Sequence, residues 1–283
     1  MANTDSSSIS FTAYYTGEVW RQHGLSADAF KTYQGQALYY LGQPIETLAR
    51  VVAGMSTQTT LLQRHQIIDY VLTKAIEEQG ITQIVEIACG LSPRGGRFCQ
   101  DYDHIHYIEA DLPAMLGHKQ KLLAENGLLN DRHRVVGINI LEQNSHDALE
   151  EVFQRELDPT QKTLVITEGL INYFDYPTIS QFWTRLAQSL KQFPQGAYVT
   201  DLYPNFKWHP MVKIINSFVF GLAKATQSHV TLHFNSQQAV IDGFKDCGFA
   251  TTTVHVPEAY YHFLPIPTQR IASLVRVVEN WVY

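Results

Sequence analysis

The sequence predicts an α/β fold in which a mostly parallel sheet is flanked by helices. Two observations carry that reading. Short apolar, β-branched runs alternate with helix-like stretches from Ile84 onward, and the runs near residues 87, 111 and 167 end in small or acidic residues, as strands do at the carboxyl edge of a parallel sheet. The chain has 283 residues, 45% of them hydrophobic, which is enough to fill one substantial core, so one large unit with additions is expected rather than two unrelated domains.

Taken in order, residues 1 to about 10 read as a frayed, serine-rich terminus, followed by a helix-prone aromatic stretch through Phe11, Tyr14, Tyr15 and Trp20. Ser26 to Met55 reads as short helices broken near Gly42 and Pro44. From Thr59 to Gln79 the apolar residues Leu61, Leu62, Ile67, Ile68, Val71, Leu72 and Ile76 recur at helical spacing, and Gly80 supplies the stop. Residues 1–80 are thus expected to form an N-terminal helical cap, with the sheet domain over 81–283 and the two joined as one compact unit. Beyond it come strands at Ile84, His106, Arg134 to Ile140, Leu164 to Thr167, Ala197 to Leu202, Thr251 to Val256 and within Ile271 to Tyr283. Helices are expected at Pro113 to Asn126, Asp147 to Glu156, Thr178 to Gln192, Trp208 to Ala223 and Ser236 to Asp246, with Pro177 and Thr178 as the entry signals of the long helix that reaches Gln192.

Three stretches form a constellation. Ile84-Val85-Glu86-Ile87-Ala88-Cys89-Gly90 is an apolar strand with one buried-looking acid that breaks into a glycine-rich turn, whose free amides can approach a polar ligand. About twenty residues on, His106 to Pro113 is a second short strand ending in acids, a spacing that suits a ribose clamp. Thr163 to Leu170 is a third apolar run, ending in Glu168 and Gly169 at the same expected edge.

Composition narrows the field. A net charge of −6 without any block of Lys or Arg argues against a nucleic-acid surface. Cys89, Cys99 and Cys247 lack any Cys-x-x-Cys spacing, so neither a disulfide framework nor a zinc ribbon is indicated and a reducing cytoplasm fits best. No signal peptide and no membrane-spanning run is expected. Asp101, Asp103, His104 and His106 crowd together, and His229 and His233 lie four apart, but neither group has a third ligand at recognisable spacing, so no metal site is expected. Ser92 lacks the surround of a hydrolase elbow, and Cys89 sits in the ligand turn rather than where a nucleophile would.

With the strands placed, the chain resembles the leucine carboxyl methyltransferase family of class I S-adenosylmethionine-dependent methyltransferases, in particular its bacterial polyketide-type O-methyltransferases. The resemblance rests on Phe11-Thr12-Ala13, on Arg64 with Ile68-Asp69, on Ala88-Cys89-Gly90-Leu91 followed by Arg94 and Arg97, on Glu109 to Pro113, and on Glu168-Gly169-Leu170 with Tyr173-Phe174. Leu274 to Glu279 looks like the family's closing strand.

The resemblance implies a Rossmann-like, seven-stranded, mostly parallel sheet with an antiparallel last strand. It further implies S-adenosyl-L-methionine as cofactor and a small-molecule oxygen acceptor, with neither nucleic acid nor membrane as partner. On that basis Arg64 pairs with the methionyl carboxylate, a role that suits a planar bidentate donor. Ala88 and Gly90 line the turn beneath the methionyl part, Glu86 belongs to the same cofactor wall, Asp111 holds the ribose, Asn139 and Ile140 flank the adenine, and Glu168 accepts from the methionyl ammonium. No catalytic residue is singled out. Each implied role competes with a plainer one: Arg64 in a surface ion pair, Arg94 and Arg97 bracing loops, Asp111 capping the next helix.

Three departures from the family pattern bear on affinity. Ala88 stands where glycine is usual, Asn139 where aspartate is usual, and no Lys or Arg lies between Met1 and Trp20. An alanine is strained if its backbone needs positive φ, and an asparagine hydrogen-bonds without charge. Rival readings are a non-catalytic protein that binds the cofactor, and a nicotinamide-dependent oxidoreductase, although Ala88 and Ser92 interrupt the dinucleotide fingerprint.

Overall fold

A computed structural model describes residues 6–207 and 231–283. The helix expected over Trp208 to Ala223 lies outside the described residues.

Three helices precede the sheet: α1 (Ser6–Gln22), α2 (Tyr33–Ala53) and α3 (Thr57–Gln79). The frayed start expected over residues 1 to about 10 is corrected from Ser6 onward, where α1 is already helical, and its first five residues lie outside the described residues. Serine is only a moderately poor helix former, so a periodic stretch behind it suffices to extend the helix. The expected break near Gly42 and Pro44 is corrected as well. A single helix α2 runs through both residues, capped by the Thr32 hydroxyl, which accepts from the Gly35 amide at 3.1 Å, and closed by Gly54 in the left-handed conformation. Pro44 is exposed, so the carbonyl it leaves without an amide partner can be solvated. Helix α3 is set by the Ser56 cap, which accepts from Thr59, and ends at Gly80, as expected.

The strands are β1 (Gln83–Ile87), β2 (His106–Asp111), β3 (His133–Gly137), β4 (Thr163–Thr167), β5 (Gly196–Leu202), β6 (Thr251–His255) and β7 (Arg276–Trp281). They form one sheet in the order β3-β2-β1-β4-β5-β7-β6, in which β7 runs antiparallel to both neighbours and the other pairs are parallel. Strands β1, β4 and β5 are buried along their whole length, whereas edge strands β3 and β6 are only partly covered. That is why the interior strands read as continuous apolar runs. Among these helices, α4 (Arg94–Asp101) was not expected, and α5 (Pro113–Glu125), α6 (Leu149–Glu156), α7 (Tyr176–Leu190) and α8 (Gln237–Asp246) match expected helices to within two residues at each end.

Alternation sends neighbouring strand residues to opposite faces. Ile84, Leu164, Ile166, Ala197, Val199 and Val277 pack against Ile67, Ile68, Val71, Leu72 and Ile76 of α3. Val85, Ile87, Val165, Tyr198, Leu202 and Val278 meet Phe182, Trp183, Leu186 and Leu190 of α7 with Val240 and Phe244 of α8. Helix α3 is therefore part of one face of the sheet, while α1 lies above it through Val19, Trp20, Leu61 and Leu62. The strand order reverses between β1 and β4, and chain segments leave those two strands in opposite directions. A crevice at their carboxyl ends is the geometric result.

Candidate active site

A cavity of about 290 Å³ opens at that point, near the lower end of the range for small-molecule sites. Its floor is the turn after β1, with Ala88, Cys89 and Gly90; one side is Asp111 at the end of β2; the other is Glu168, Gly169 and Asp201 at the ends of β4 and β5. Arg64 enters from α3, and Thr12, Ala13, Tyr15, Thr16 and Trp20 of α1 form a wall above. Tyr173, after β4, donates from its hydroxyl to Thr12 Oγ1 at 3.1 Å and so ties the loop to α1.

Ala88 has φ 56° and Gly90 φ 49°. The turn thus places a non-glycine residue in the left-handed region, which costs an L-residue roughly 1–2 kcal/mol. The conformation turns the Gly90 amide onto Asp111 Oδ2 at 2.8 Å, while Oδ1 accepts from the Leu112 amide at 2.7 Å. Burial raises the Asp111 carboxyl above its ordinary range, against the lowering effect of those two amides. Burial also pushes the Cys89 thiol well up, which keeps it protonated and unreactive at neutral pH.

Arg64 is buried between two carboxylates, with Nε 3.1 Å from Glu168 Oε1 and Nη1 3.1 Å from Asp201 Oδ2. Asp201 Oδ1 also accepts from the Gly169 amide at 2.6 Å. Gly169 has φ 73°, and a Cβ there would lie 2.9 Å from Arg64 Nη2, so glycine is needed both for the turn and for the approach of the guanidinium. Behind this pair, Arg94 is wholly enclosed. Its Nε donates to Asp69 Oδ1 at 2.6 Å, its Nη2 to Glu168 Oε2 at 2.7 Å, and its Nη1 to Glu86. Glu86 accepts a further bond from the Tyr107 hydroxyl at 2.7 Å, and Arg97 closes on Asp69 from the other side. His65, whose ring lies tilted against Trp20 with centroids 4.5 Å apart, places Nδ1 2.9 Å from Glu168 Oε2. Burial acts to raise the Glu168 carboxyl, but His65, Arg94 and Arg64 outweigh it and hold the group far below the usual range. Burial raises Asp201 instead, with Arg64 only partly opposing it.

Six of the residues singled out in the sequence therefore meet at one cavity: Arg64, Glu86, Ala88, Gly90, Asp111 and Glu168. Asn139 and Ile140 do not line it. Strand β3 ends at Gly137, and Asn139 is engaged in its own loop, accepting from the Leu141 amide and donating to Glu142, each at 3.1 Å. Ile140 packs into the α7 side of the core. Sequence reasoning passed over Asp201, His65 and the hub role of Arg94. Asp201 carried the same signal as Glu168, an acid at the end of an apolar strand. His65 and Arg94 carried none, because their partners come from distant segments. Among the described residues no group of His, Cys, Asp and Glu converges as a metal site, and no helix is long and apolar enough to cross a membrane.

A 3-2-1-4-5-7-6 sheet with a reversed seventh strand and a polar cavity at the β1/β4 switch point defines the Rossmann-like methyltransferase class. The sequence model of the leucine carboxyl methyltransferase family matches residues 27–187, more than half of the chain. The chain belongs to that family, and it is a methyltransferase. No curated protein matches it. Among solved structures it is similar to a candidate methyltransferase from Thermobifida fusca YX, with 11% identity, TM-score 0.60 and coverage of 93% of each chain. It is also similar to magnesium protoporphyrin IX methyltransferase from Synechocystis PCC 6803, solved with bound SAH, with 12% identity, TM-score 0.50 and coverage of 85% of this chain and 99% of that one. The CurJ carbon methyltransferase is 15% identical with TM-score 0.51, over 90% of this chain and 65% of that one. Likeness at such identities is a likeness of fold.

Proposed function

We propose that the chain is an S-adenosyl-L-methionine-dependent O-methyltransferase that acts on a carboxylate or hydroxyl of a small molecule, in the cytoplasm and without a metal ion. The observation that carries the reading is the joint presentation, in one cavity, of the Arg64–Glu168 pair and of Asp111 beside the Gly90 turn. A guanidinium and a carboxylate side by side match a zwitterionic amino-acid head: Arg64 suits its carboxylate and Glu168 its ammonium. Asp111 keeps lone pairs for ribose hydroxyls beyond the two amides it already accepts. Glu86, Asp111, Glu168 and Asp201 outnumber Arg64 along the wall, an acidic excess that suits a ligand bearing both an ammonium and a sulfonium.

When bound, that cofactor supplies an electrophilic methyl group. The protein's part is to hold and align. The α1 wall, tied down through Thr12 and Tyr173, excludes water from the reacting centre, and Tyr15, Trp20, Tyr173 and Tyr203 offer an aromatic surface for the acceptor. Burial pushes the Tyr203 phenol up to about 12, against the pull of Arg64, so it stays protonated at neutral pH and can donate a hydrogen bond but not take a proton. A carboxylate acceptor is already ionised at neutral pH and needs no base.

The test has two stages. Calorimetry should detect S-adenosylmethionine and S-adenosylhomocysteine, and a hundredfold excess over the dissociation constant should stabilise the fold by ~2.7 kcal/mol. Absence of binding at millimolar ligand removes the proposal. Turnover with a labelled methyl group after exhaustive chelation, mapped by NMR, then decides the chemistry. Label on carbon, nitrogen or sulfur overturns the oxygen acceptor, and loss of turnover on chelation overturns metal independence.

A further inference from the structure

Helix α2 is mounted with its apolar stripe outward. Tyr33, Tyr40, Leu41, Ile45, Leu48 and Val51 are each between 60 and 88% exposed, and Ala37 and Pro44 continue the same stripe at three- to four-residue spacing. Polar contacts hold its inner side: Glu46 is buried and accepts from the Tyr15 hydroxyl at 3.3 Å and from the Gln58 amide at 3.4 Å, and Gly35 lets the helix pass against the Tyr14 carbonyl. Among the described residues the other large exposed apolar side chains, Leu141, Tyr176, Phe263 and Tyr283, lie far apart in sequence, as is ordinary on a protein surface.

We infer that α2 is a dimerisation surface on which a second copy of this chain packs, helix against helix, about a twofold axis. The area is sufficient. The exposed parts of those six side chains amount to roughly 800 Å² on one chain, which matches what each partner contributes to a stable interface. The charge pattern agrees: from Tyr33 to Val51 the only charged exposed residue is Arg50, so two such faces meet without repulsion although the chain as a whole carries a charge of −6. The stripe is also suited to meeting itself. Antiparallel pairing sets the aromatic end, Tyr33 and Tyr40, against the aliphatic end, Leu48 and Val51, of the second helix, an isologous contact that closes on itself. A lipid surface fits less well, because helices that lie in a bilayer interface carry Lys and Arg along their polar side, and here that side is turned inward and holds Glu46. The consequence for the enzyme is local. Helix α2 packs on α1, whose Thr12, Ala13, Tyr15 and Thr16 wall the cavity, so the second copy would press the wall into place from behind.

Sedimentation velocity on the full chain over the micromolar range tests the inference. The expected result is a species of twice 32.2 kDa that dissociates on dilution. The double substitution Leu41→Glu/Leu48→Glu should weaken association at least ~100-fold while leaving the far-UV circular dichroism unchanged. If that variant misfolds, Leu41→Cys, near the middle of the stripe, serves instead. It should form a cross-linked dimer on mild oxidation, without competition from the three native cysteines, which are buried. A monomer at every concentration, a dimer indifferent to these substitutions, or flotation of the native chain with phosphatidylcholine vesicles would each overturn the inference.

Discussion

Replacing Arg94 by methionine removes a cation with no exposed surface from among three carboxylates, and the cost can be apportioned from what each acid keeps. Glu168 retains Arg64 and His65, and Asp69 retains Arg97. Among the described residues the one hydrogen-bond partner left to Glu86 is the neutral Tyr107 hydroxyl, and Glu86 stays 1% exposed. Breaking a buried pair from one side costs about 3–5 kcal/mol, chiefly for the charge left behind, and here most of it falls on Glu86. For a chain of this size that lowers the melting temperature by roughly 6–20 °C and leaves it folded at room temperature if the native stability is typical. Urea denaturation followed by circular dichroism, without cofactor, measures the loss. Adding Glu86→Gln to the variant should recover most of it, since the amide removes the stranded charge. The pH response has a definite sign. Against its burial, His65, Arg94 and Arg64 hold the Glu168 carboxyl far below the usual range, so the stability it contributes is present above the unfolded value near 4.3 and is lost as pH falls below it, and the deficit of the variant shrinks in the same direction. A loss below about 1 kcal/mol at neutral pH, or no recovery from Glu86→Gln, would refute the hub assigned to Arg94.

Two further substitutions address the ligand turn and the cofactor head. Ala88→Gly relieves a left-handed alanine at the expense of extra freedom in the unfolded chain, for a net gain of about 0.5–1 kcal/mol and a melting temperature raised by roughly 1–4 °C; an unchanged or lower value would mean that residue 88 does not sit at positive φ. Arg64→Ala should weaken S-adenosylmethionine binding roughly 10- to 150-fold in calorimetry, the worth of a hydrogen bond to a charged group, and unchanged affinity in a folded variant would return Arg64 to a purely structural ion pair.

How much of this was legible in the sequence depends on where each interaction closes. Strands β1, β4 and β5 announce themselves because both their faces are covered, which forces continuous apolar runs, and Asp111 and Glu168 are found because strand ends at one edge share a location. Arg64 was reached through the family resemblance alone. Helix α4 was hidden by Gly95 and Gly96, which are poor helix formers. Its reason is tertiary: a Cβ on Gly95 would lie 2.3 Å from Glu109 Oε1, so the glycine is required by the buried Glu109, Lys119 and His133 cluster beneath it. The continuity of α2 was hidden by Pro44, whose penalty is small where the freed carbonyl faces water. Asn139 was placed by analogy with a strand end, but β3 stops two residues before it, and an element boundary is the least legible feature of any strand.

The position of β7 shapes how the molecule can be made. Among the described residues strand β6 pairs only with β7, and β5 has no partner on that side until β7 arrives, so during synthesis the five-stranded part emerges first with an open flank while residues 251–255 wait for a strand about twenty residues downstream. Until residues 276–281 insert, the open edge of β5, which is buried along its length in the finished sheet and carries Asp201, can template association with another nascent chain. Removing β7 would therefore not trim a border. It would split the sheet, release β6, and uncover the segment that holds one of the two carboxylates gripping Arg64, so that assembly of the active site is postponed to the last step of folding.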